Sequence, residues 1–169
     1  MKRTTSAQGR ALIKGFEGFR STAYSDAGGY SIGYGHHGAV AGQTVTEAEA
    51  EELLTEDLHR FEEAVNAVSD RLTQGQFDAA VSLAYNIGTT AFSRSNVAAL
   101  MAANPSPRQE LEQEWKEWRM ASGRVNSALE KRRAEEYEHY TKHSNSITAT
   151  VATVALCAAV VTVAAITLS

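Results

Sequence analysis

The last 23 residues, Ile147 to Ser169, contain no charged side chain, although the 169-residue chain carries 16 basic and 20 acidic residues. Seventeen of the 22 residues from Ile147 to Leu168 are apolar, and the other five are threonines. A helix of about 20 residues spans the roughly 30 Å hydrocarbon core of a bilayer. The segment therefore predicts a C-terminal hydrophobic helix that crosses a membrane or docks into an assembly. The alternative is a low-complexity helix or strand packed against other subunits.

The charged part of the chain has the size of one domain. Residues 1–140 are enough to bury a continuous core, and the polar residues 141–146 indicate a linker into the hydrophobic tail at 147–169. The net charge of −4 argues against nucleic-acid binding, which needs a basic surface. The single cysteine, Cys157, leaves no disulfide within the chain. No apolar run of signal-peptide length begins the sequence, so no ordinary export signal is expected.

The beginning of the chain combines one helix with a region typical of strands. Ser6 is a suitable N-cap for a first helix that runs to about Phe16, and Gly18 predicts its end. Between Phe19 and Val45, glycines, tyrosines and β-branched residues dominate, which is typical of a small antiparallel sheet. This is the only part of the chain for which the sequence predicts strands.

Capping-box patterns predict two longer helices. Thr46 with Glu49 opens an amphipathic helix, and Thr73 with Gln76 opens a helix that is apolar on most sides. We expect the second helix to form the centre of the core and to end at Gly88. Further helices are predicted at 95–103, from 107 to about 119 behind a Ser106 cap, and at 126–143. The predicted fold class is α+β, mainly helical, with a small antiparallel β lobe joined to a helical lobe.

Two carboxylates in unlike surroundings are candidate catalytic residues. Glu17 lies at the predicted end of the first helix between Phe16 and Phe19, where helix-end charge and excluded water both disfavour the ionised form. Asp26 lies in a polar turn and is expected to stay ionised. Glycoside hydrolysis needs such a pair, one acid to protonate the leaving oxygen and one carboxylate to direct water. From spacing alone, a surface glutamate and a turn-forming aspartate are the simpler interpretation.

The longer strings of sequence around these acids are more specific. They are Phe16-Glu17-Gly18-Phe19-Arg20, Ala23-Tyr24-Ser25-Asp26 and Tyr30-Ser31-Ile32-Gly33-Tyr34-Gly35-His36, followed by residues 72–79, 84–88 and 129–136. Together they closely resemble the phage lysozymes, the endolysin muramidases of glycoside hydrolase family 24, and the resemblance covers about residues 6–140. It implies a lysozyme-like fold with a substrate cleft between the two lobes. It also implies hydrolysis of the β-1,4 bond between N-acetylmuramic acid and N-acetylglucosamine in peptidoglycan.

The same resemblance implies roles for three residues. Glu17 matches the general acid, Asp26 the carboxylate that positions or activates water, and Ser31 a position where the family usually has threonine. Only four residues separate Asp26 from Ser31, whereas the family commonly has five, so the shorter loop leaves the position of the serine hydroxyl open. Arg132 and Arg133 either brace the cleft by pairing with acids such as Glu17 or form exposed ion pairs on their own helix.

Other polar and aromatic residues are expected to be structural. The resemblance places His36 within the fold, bonded to an acidic partner. Trp115 and Trp118 are expected in the core rather than as sugar platforms. No metal site is expected, because no further histidine or cysteine accompanies His36 and His37 at ligand spacing. No cofactor is expected either.

The leading functional hypothesis is a phage muramidase that acts on the periplasmic cell wall, for host lysis or for genome delivery. Its expected partners are peptidoglycan and, through residues 147–169, a membrane or virion proteins. The expected locations are the host cytoplasm, the inner membrane or the virion, and the virion is favoured because an ordinary endolysin needs no hydrophobic tail. The alternative is an inactive lysozyme-like module that binds the wall or builds the virion, suggested by the altered spacing between Asp26 and Ser31.

Overall fold

The computed structural model describes residues 2–26 and 28–142. The predicted hydrophobic helix at 147–169, and most of the predicted linker at 141–146, lie outside these residues. Within the described part of the chain, no helix combines the length and the apolar character needed to cross a membrane. The described helices are, in chain order, Ala7–Glu17 (α1), Glu47–Val68 (α2), Gln74–Ile87 (α3), Thr89–Ser93 (α4), Asn96–Ala103 (α5), Gln109–Lys116 (α6) and Ser127–Lys142 (α7).

Helix α3 forms the centre of the core, as predicted. Every residue from Gly75 to Ala84 is buried, and the helix packs against α1, α2 and α7. It ends where the Gly88 amide donates to the carbonyl of Ala84 with a φ of +87°. Both predicted capping boxes are present, at Thr46 for α2 and at Thr73 for α3. These local hydrogen bonds set where α2 and α3 begin.

A three-stranded antiparallel sheet lies between α1 and α2 in the chain, as predicted. Its strands, with the second in the middle, are Arg20–Asp26 (β1), Gly29–Gly33 (β2) and His36–Ala39 (β3). Gly33 has a φ of +65°, and a Cβ at this residue would lie 2.9 Å from the Cβ of Ala50 on α2. Any side chain there would push the sheet away from the helix. Glycine therefore lets the end of β2 seat directly against α2.

The start of α6 differs from the prediction. The helix begins at Gln109 behind Arg108 rather than behind a Ser106 cap. The guanidinium of Arg108 donates to the carbonyls of Leu100 and Asn104, and the Arg108 backbone is extended with a φ of −160°. This longer-range anchoring delays the helix past the residue whose side chain would have capped it.

Two short elements were absent from the prediction. The five-residue helix α4 directly follows Gly88, where only a helix end was expected. After α6, a 3-10 turn at Glu117–Arg119 leads into a second hairpin, with strands Met120–Ala121 (β4) and Arg124–Val125 (β5). Its tip residues Ser122 and Gly123 have φ values of +51° and +74°, as in a type I′ turn. The prediction that strands occur only between residues 19 and 45 was wrong, because two-residue strands show too little alternation to be recognised.

Candidate active site

Glu17 is the last residue of α1, and its carboxylate is held by an arginine from the far end of the fold. The Ser6 side chain caps the start of this helix, and Gly18 ends it with a φ of +69°. Nη1 of Arg132 on α7 donates to Oε1 of Glu17 over 2.7 Å. The Glu17 side chain keeps 23% of its surface exposed, whereas that of Arg132 keeps 7%. One carboxylate oxygen of Glu17 is therefore fixed while the side chain stays accessible.

The other oxygen of Glu17 lies beside the turn between β2 and β3. A Cβ on Gly35 would lie 3.8 Å from Oε2 of Glu17 and 3.7 Å from the hydroxyl of Tyr85. Gly35 itself has a φ of +96°, so a residue with a side chain would be strained here as well as crowding the acid. The Tyr85 hydroxyl donates to the carbonyl of Tyr34 over 2.9 Å. Burial, with the nearby charges of Asp57 and Glu17, raises the pKa of Tyr85, which keeps this hydroxyl protonated.

The arginine that holds Glu17 is itself held by Glu136, a completely buried carboxylate. Oε1 of Glu136 accepts from Nε of Arg132 at 3.0 Å and from Nη2 of Arg133 at 2.9 Å. It also accepts from the Ser82 hydroxyl at 2.8 Å, and Oε2 accepts from Nε1 of Trp115 at 3.1 Å. These donors come from α3, α6 and α7. Glu136 thus joins the core to the arginine that touches the candidate acid.

Of the two arginine alternatives, Arg132 braces the site. It pairs with Glu17 and with Glu136, and it is 6% exposed. Arg133 is completely buried and pairs with Glu136 rather than with Glu17. Burial lowers the pKa of Arg133, and the charge of Glu136 opposes that shift. Neither arginine forms an exposed ion pair on the helix surface.

Asp26 and Ser31 come together across the β1–β2 hairpin. The Ser31 hydroxyl, which is completely buried, lies 3.2 Å from Oδ2 of the exposed Asp26. The shorter loop between them therefore leaves the two groups within hydrogen-bond reach. The Ser31 hydroxyl also lies 2.8 Å from Nδ1 of His37 on β3. The sheet places Asp26 and Ser31 together, and the end of the same strand β2 leads into the Gly35 turn beside Glu17.

A sequence model of the phage lysozyme family matches residues 14–136. The chain belongs to the phage lysozyme family. The predicted resemblance is thereby confirmed. The chain is also similar to the endolysin of Bacillus phage B103, with 39% identity over 137 residues, which are 78% of this chain and 51% of that protein. The chain thus spans about half the length of this curated relative.

Solved structures show the same fold as this phage lysozyme chain. The muramidase domain of SpmX from Asticaccaulis excentricus matches with a TM-score of 0.75 and 38% identity, covering 82% of this chain and 97% of that one. An endolysin from Escherichia coli O157:H7 phage FAHEc1 matches with a TM-score of 0.74 and 32% identity, covering 83% of this chain and 94% of the other. The predicted lysozyme-like fold, mainly helical with a small antiparallel sheet, is therefore confirmed.

The structure also supports the residues predicted to be structural in this lysozyme-like fold. Nδ1 of His36 lies 2.9 Å from Oδ2 of Asp57 on α2, which is the acidic partner expected for it. Trp115 is completely buried, and Trp118 packs partly buried against the core. Among residues 2–26 and 28–142 there is no cluster of three histidine, cysteine or acidic side chains that could hold a metal ion.

Three residues of the site had no recognisable signal in the sequence. Tyr85 carried no local pattern that linked it to Glu17, and Glu136 was only one of several acids on its helix. His37 is recognisable in the sequence only as half of a histidine pair. Tyr85 and Glu136 are placed by contacts between elements far apart in the chain, such as the 54 positions between Ser82 and Glu136. His37 is placed by the register between two neighbouring strands.

Proposed function

We propose that this chain is a muramidase that hydrolyses the β-1,4 bond between N-acetylmuramic acid and N-acetylglucosamine in peptidoglycan. The observation that carries the proposal is the position of Glu17, with one oxygen held by Arg132 at 2.7 Å and the other beside the Gly35 turn. Membership of the phage lysozyme family supports it, as does the likeness to a domain described as a muramidase. We place the substrate cleft between the sheet and the helices, where this acid is accessible.

In this proposal Glu17 is the general acid. It transfers its proton to the glycosidic oxygen as the bond between that oxygen and the anomeric carbon breaks. The hydrogen bond from Arg132 fixes the rotation of the carboxyl group, so that the other oxygen, Oε2, is the one presented beside Gly35. Positioning of this kind lowers the barrier, because the acid is already oriented before the substrate binds.

Asp26 is the carboxylate that directs water, and Ser31 assists it. A water molecule bonds to the anomeric carbon and passes a proton to Asp26, while the leaving sugar has taken the proton of Glu17. The hydroxyl of Ser31, 3.2 Å from Oδ2 of Asp26, orients this carboxylate. Direct attack by water inverts the anomeric carbon, so the first product should carry the α configuration, which NMR of the released sugar measures.

The test compares the full-length wild type with Glu17→Gln in a cell-wall turbidity assay. Glutamine keeps the size of the side chain but has no acidic proton, so clearing should slow by about 100-fold or more. Glu52→Gln, an exposed substitution of the same type on α2, should clear like the wild type. For the second acid, Asp26→Asn is compared with the wild type in the same way, and Asp70→Asn is the matched exposed control. Equal clearing by wild type and Glu17→Gln would overturn the catalytic assignment.

The same two proteins, wild type and Glu17→Gln, also test the alternative that the chain is an inactive lysozyme-like module. If neither wild type nor Glu17→Gln clears the wall but both sediment with it, the chain binds peptidoglycan without cutting it. Normal folding, measured by circular dichroism, is the control for that outcome. A wild type that clears the wall while Glu17→Gln only sediments with it supports the muramidase.

We further propose that residues 1–140 form the catalytic domain, that 141–146 link it to the tail, and that residues 147–169 attach it to a virion component or a bilayer. The uncharged composition of the tail supports this attachment, and we favour the virion and a role in genome delivery over lysis. Flotation of the full-length protein with liposomes tests the bilayer. A lysine at Ala159, near the middle of the tail, costs about 3 kcal/mol in a bilayer and should abolish flotation. Failure of the wild type to float would instead favour a protein partner.

A further inference from the structure

His37 belongs to a row of side chains that crosses all three strands of the sheet. In the strand register, Ser31 on β2 lies opposite His37 on β3 and opposite Tyr24 on β1. Asp26 is two residues beyond Tyr24, so it projects from the same face of β1. Cross-strand neighbours on one face are close enough to bond. The register therefore brings Asp26, Ser31 and His37 together on one face of the sheet.

The hydroxyl of Ser31 contacts both neighbours but has only one proton to give. It lies 3.2 Å from Oδ2 of Asp26 and 2.8 Å from Nδ1 of His37. An ionised carboxylate only accepts hydrogen bonds. When Ser31 donates to Asp26, the second contact must therefore be a bond that His37 donates from a protonated Nδ1. An Nδ1 without hydrogen would instead accept the hydrogen bond of the serine hydroxyl, which could then not donate to Asp26.

Serine needs such a partner because its own geometry does not restrain it. It lacks the β-branch that limits χ1 in threonine, so sterics alone leave its hydroxyl free to rotate. The Ser31 side chain is completely buried, whereas His37 is exposed and borders a cavity of about 370 Å³ with residues 28–30, Gly38 and Ala39. The direction of the Ser31 hydroxyl is thus set by its two side-chain partners.

We infer that His37 is a positioning residue, which donates from Nδ1 to Ser31 and thereby turns the serine hydroxyl toward Asp26. The chain of donors ends on the carboxylate that directs water in the proposed function, and the inference rests on that function. The hydrogen bond from Ser31 fixes the rotation of the Asp26 carboxylate, on which the direction of proton transfer from water depends. His37 touches no reacting atom and acts only through Ser31.

A double-mutant cycle in the full-length protein tests this role, with kcat and KM measured from the release of reducing ends. His37→Leu removes the donor and should lower kcat about fivefold to tenfold with little change in KM, which is the range expected for one hydrogen bond. His37→Asn can place an amide N–H near the position of Nδ1 and should stay within about twofold of the wild type. His59→Leu, an exposed histidine on α2 that pairs with Glu62, is the control and should leave kcat and KM unchanged.

The Ser31→Ala background separates positioning from a structural role. If His37 acts through the hydroxyl, Ser31→Ala and Ser31→Ala/His37→Leu should have the same kcat. If the fold-losses in kcat of the two substitutions multiply instead, the inference is overturned. A His37→Asn protein that is as slow as His37→Leu would also overturn it. Unfolding curves of the same proteins exclude a loss of activity through partial unfolding.

A measurement that needs no activity keeps the inference apart from the proposed function. Nitrogen-15 NMR of the His37 imidazole, assigned by comparison with His37→Asn, reports which ring nitrogen carries hydrogen. A protonated Nδ1 that loses its hydrogen-bonded shift in Ser31→Ala supports the inference. An Nδ1 that carries no hydrogen overturns the inference, even in an active enzyme. If wild type and Glu17→Gln are equally inactive, the muramidase proposal fails while the arrangement of His37, Ser31 and Asp26 is still decided.

Discussion

Replacing Glu136 with glutamine should remove a large part of the stability of the fold. The carboxylate accepts hydrogen bonds from Arg132, Arg133, Ser82 and Trp115 and is completely buried. Glutamine keeps one acceptor oxygen, but it loses the charge that faces two buried guanidinium groups. Its amide also turns N–H groups toward the indole N–H, where two donors cannot bond.

The expected cost follows from these contacts. A hydrogen bond to a charged group contributes about 1 kcal/mol more than a neutral one, so two arginine contacts lose about 2 kcal/mol. The orphaned donor of Trp115 adds about 1–3 kcal/mol. The sum, about 3–5 kcal/mol, agrees with the cost of breaking a buried ion pair by removing one partner. Since small domains are stable by about 5–15 kcal/mol, this is a substantial fraction of the total.

Urea unfolding of the full-length protein, followed by far-ultraviolet circular dichroism, measures this cost. Glu138→Gln is the matched control on the same helix, because Glu138 is exposed and pairs with Lys142 at the surface. It should cost less than about 0.5 kcal/mol. Trp115→Phe should cost about 1 kcal/mol less in the Glu136→Gln background than in the wild type, because there it also removes the orphaned donor. A loss below about 1 kcal/mol for Glu136→Gln would refute the claim that the buried charge is needed.

Two further predictions concern the contact between α1 and α3. Gly9→Ala places its Cβ 2.6 Å from Cγ of Asp78 and should destabilise the fold by about 1–3 kcal/mol. Gly15→Ala, on the same helix, meets nothing within 4 Å and should stabilise the fold by about 0.5–1 kcal/mol. Thermal unfolding compares the stabilities of the two variants, and equal effects would contradict the packing. Burial opposes the ionised form of Asp78, but His139, 3.9 Å away, and hydrogen bonds from Ser6 and Gln74 outweigh it and lower the pKa of Asp78. Because the folded-state pKa is the lower one, this stabilisation is present above about pH 4 and is lost as the pH falls through the folded value. The stability difference between wild type and Asp78→Asn should therefore shrink in acid, and a difference that does not change with pH would contradict it.

The helix starts and the candidate acids could be predicted from the sequence because their signals are local. Thr46 and Thr73 cap their helices through residues three positions along, and both capping boxes form as predicted. Glu17 and Asp26 were identified from short strings of neighbouring residues. The start of α6 could not be predicted in this way, since Arg108 is anchored by the carbonyls of Leu100 in α5 and of Asn104 just after that helix.

The sequence by itself determined the fold family, the periodic helices and which acids are candidates for catalysis. Only the tertiary structure decided which side chains hold those acids. Arg132 reaches Glu17 across 115 positions, and either of two arginines could have done so on sequence grounds. His37 reaches Ser31 through a strand register that contains an irregularity beside Ser31. Arg132 is set by the packing of helices far apart in the chain, and His37 by the register of neighbouring strands. Neither arrangement leaves a pattern in the few residues around the side chain.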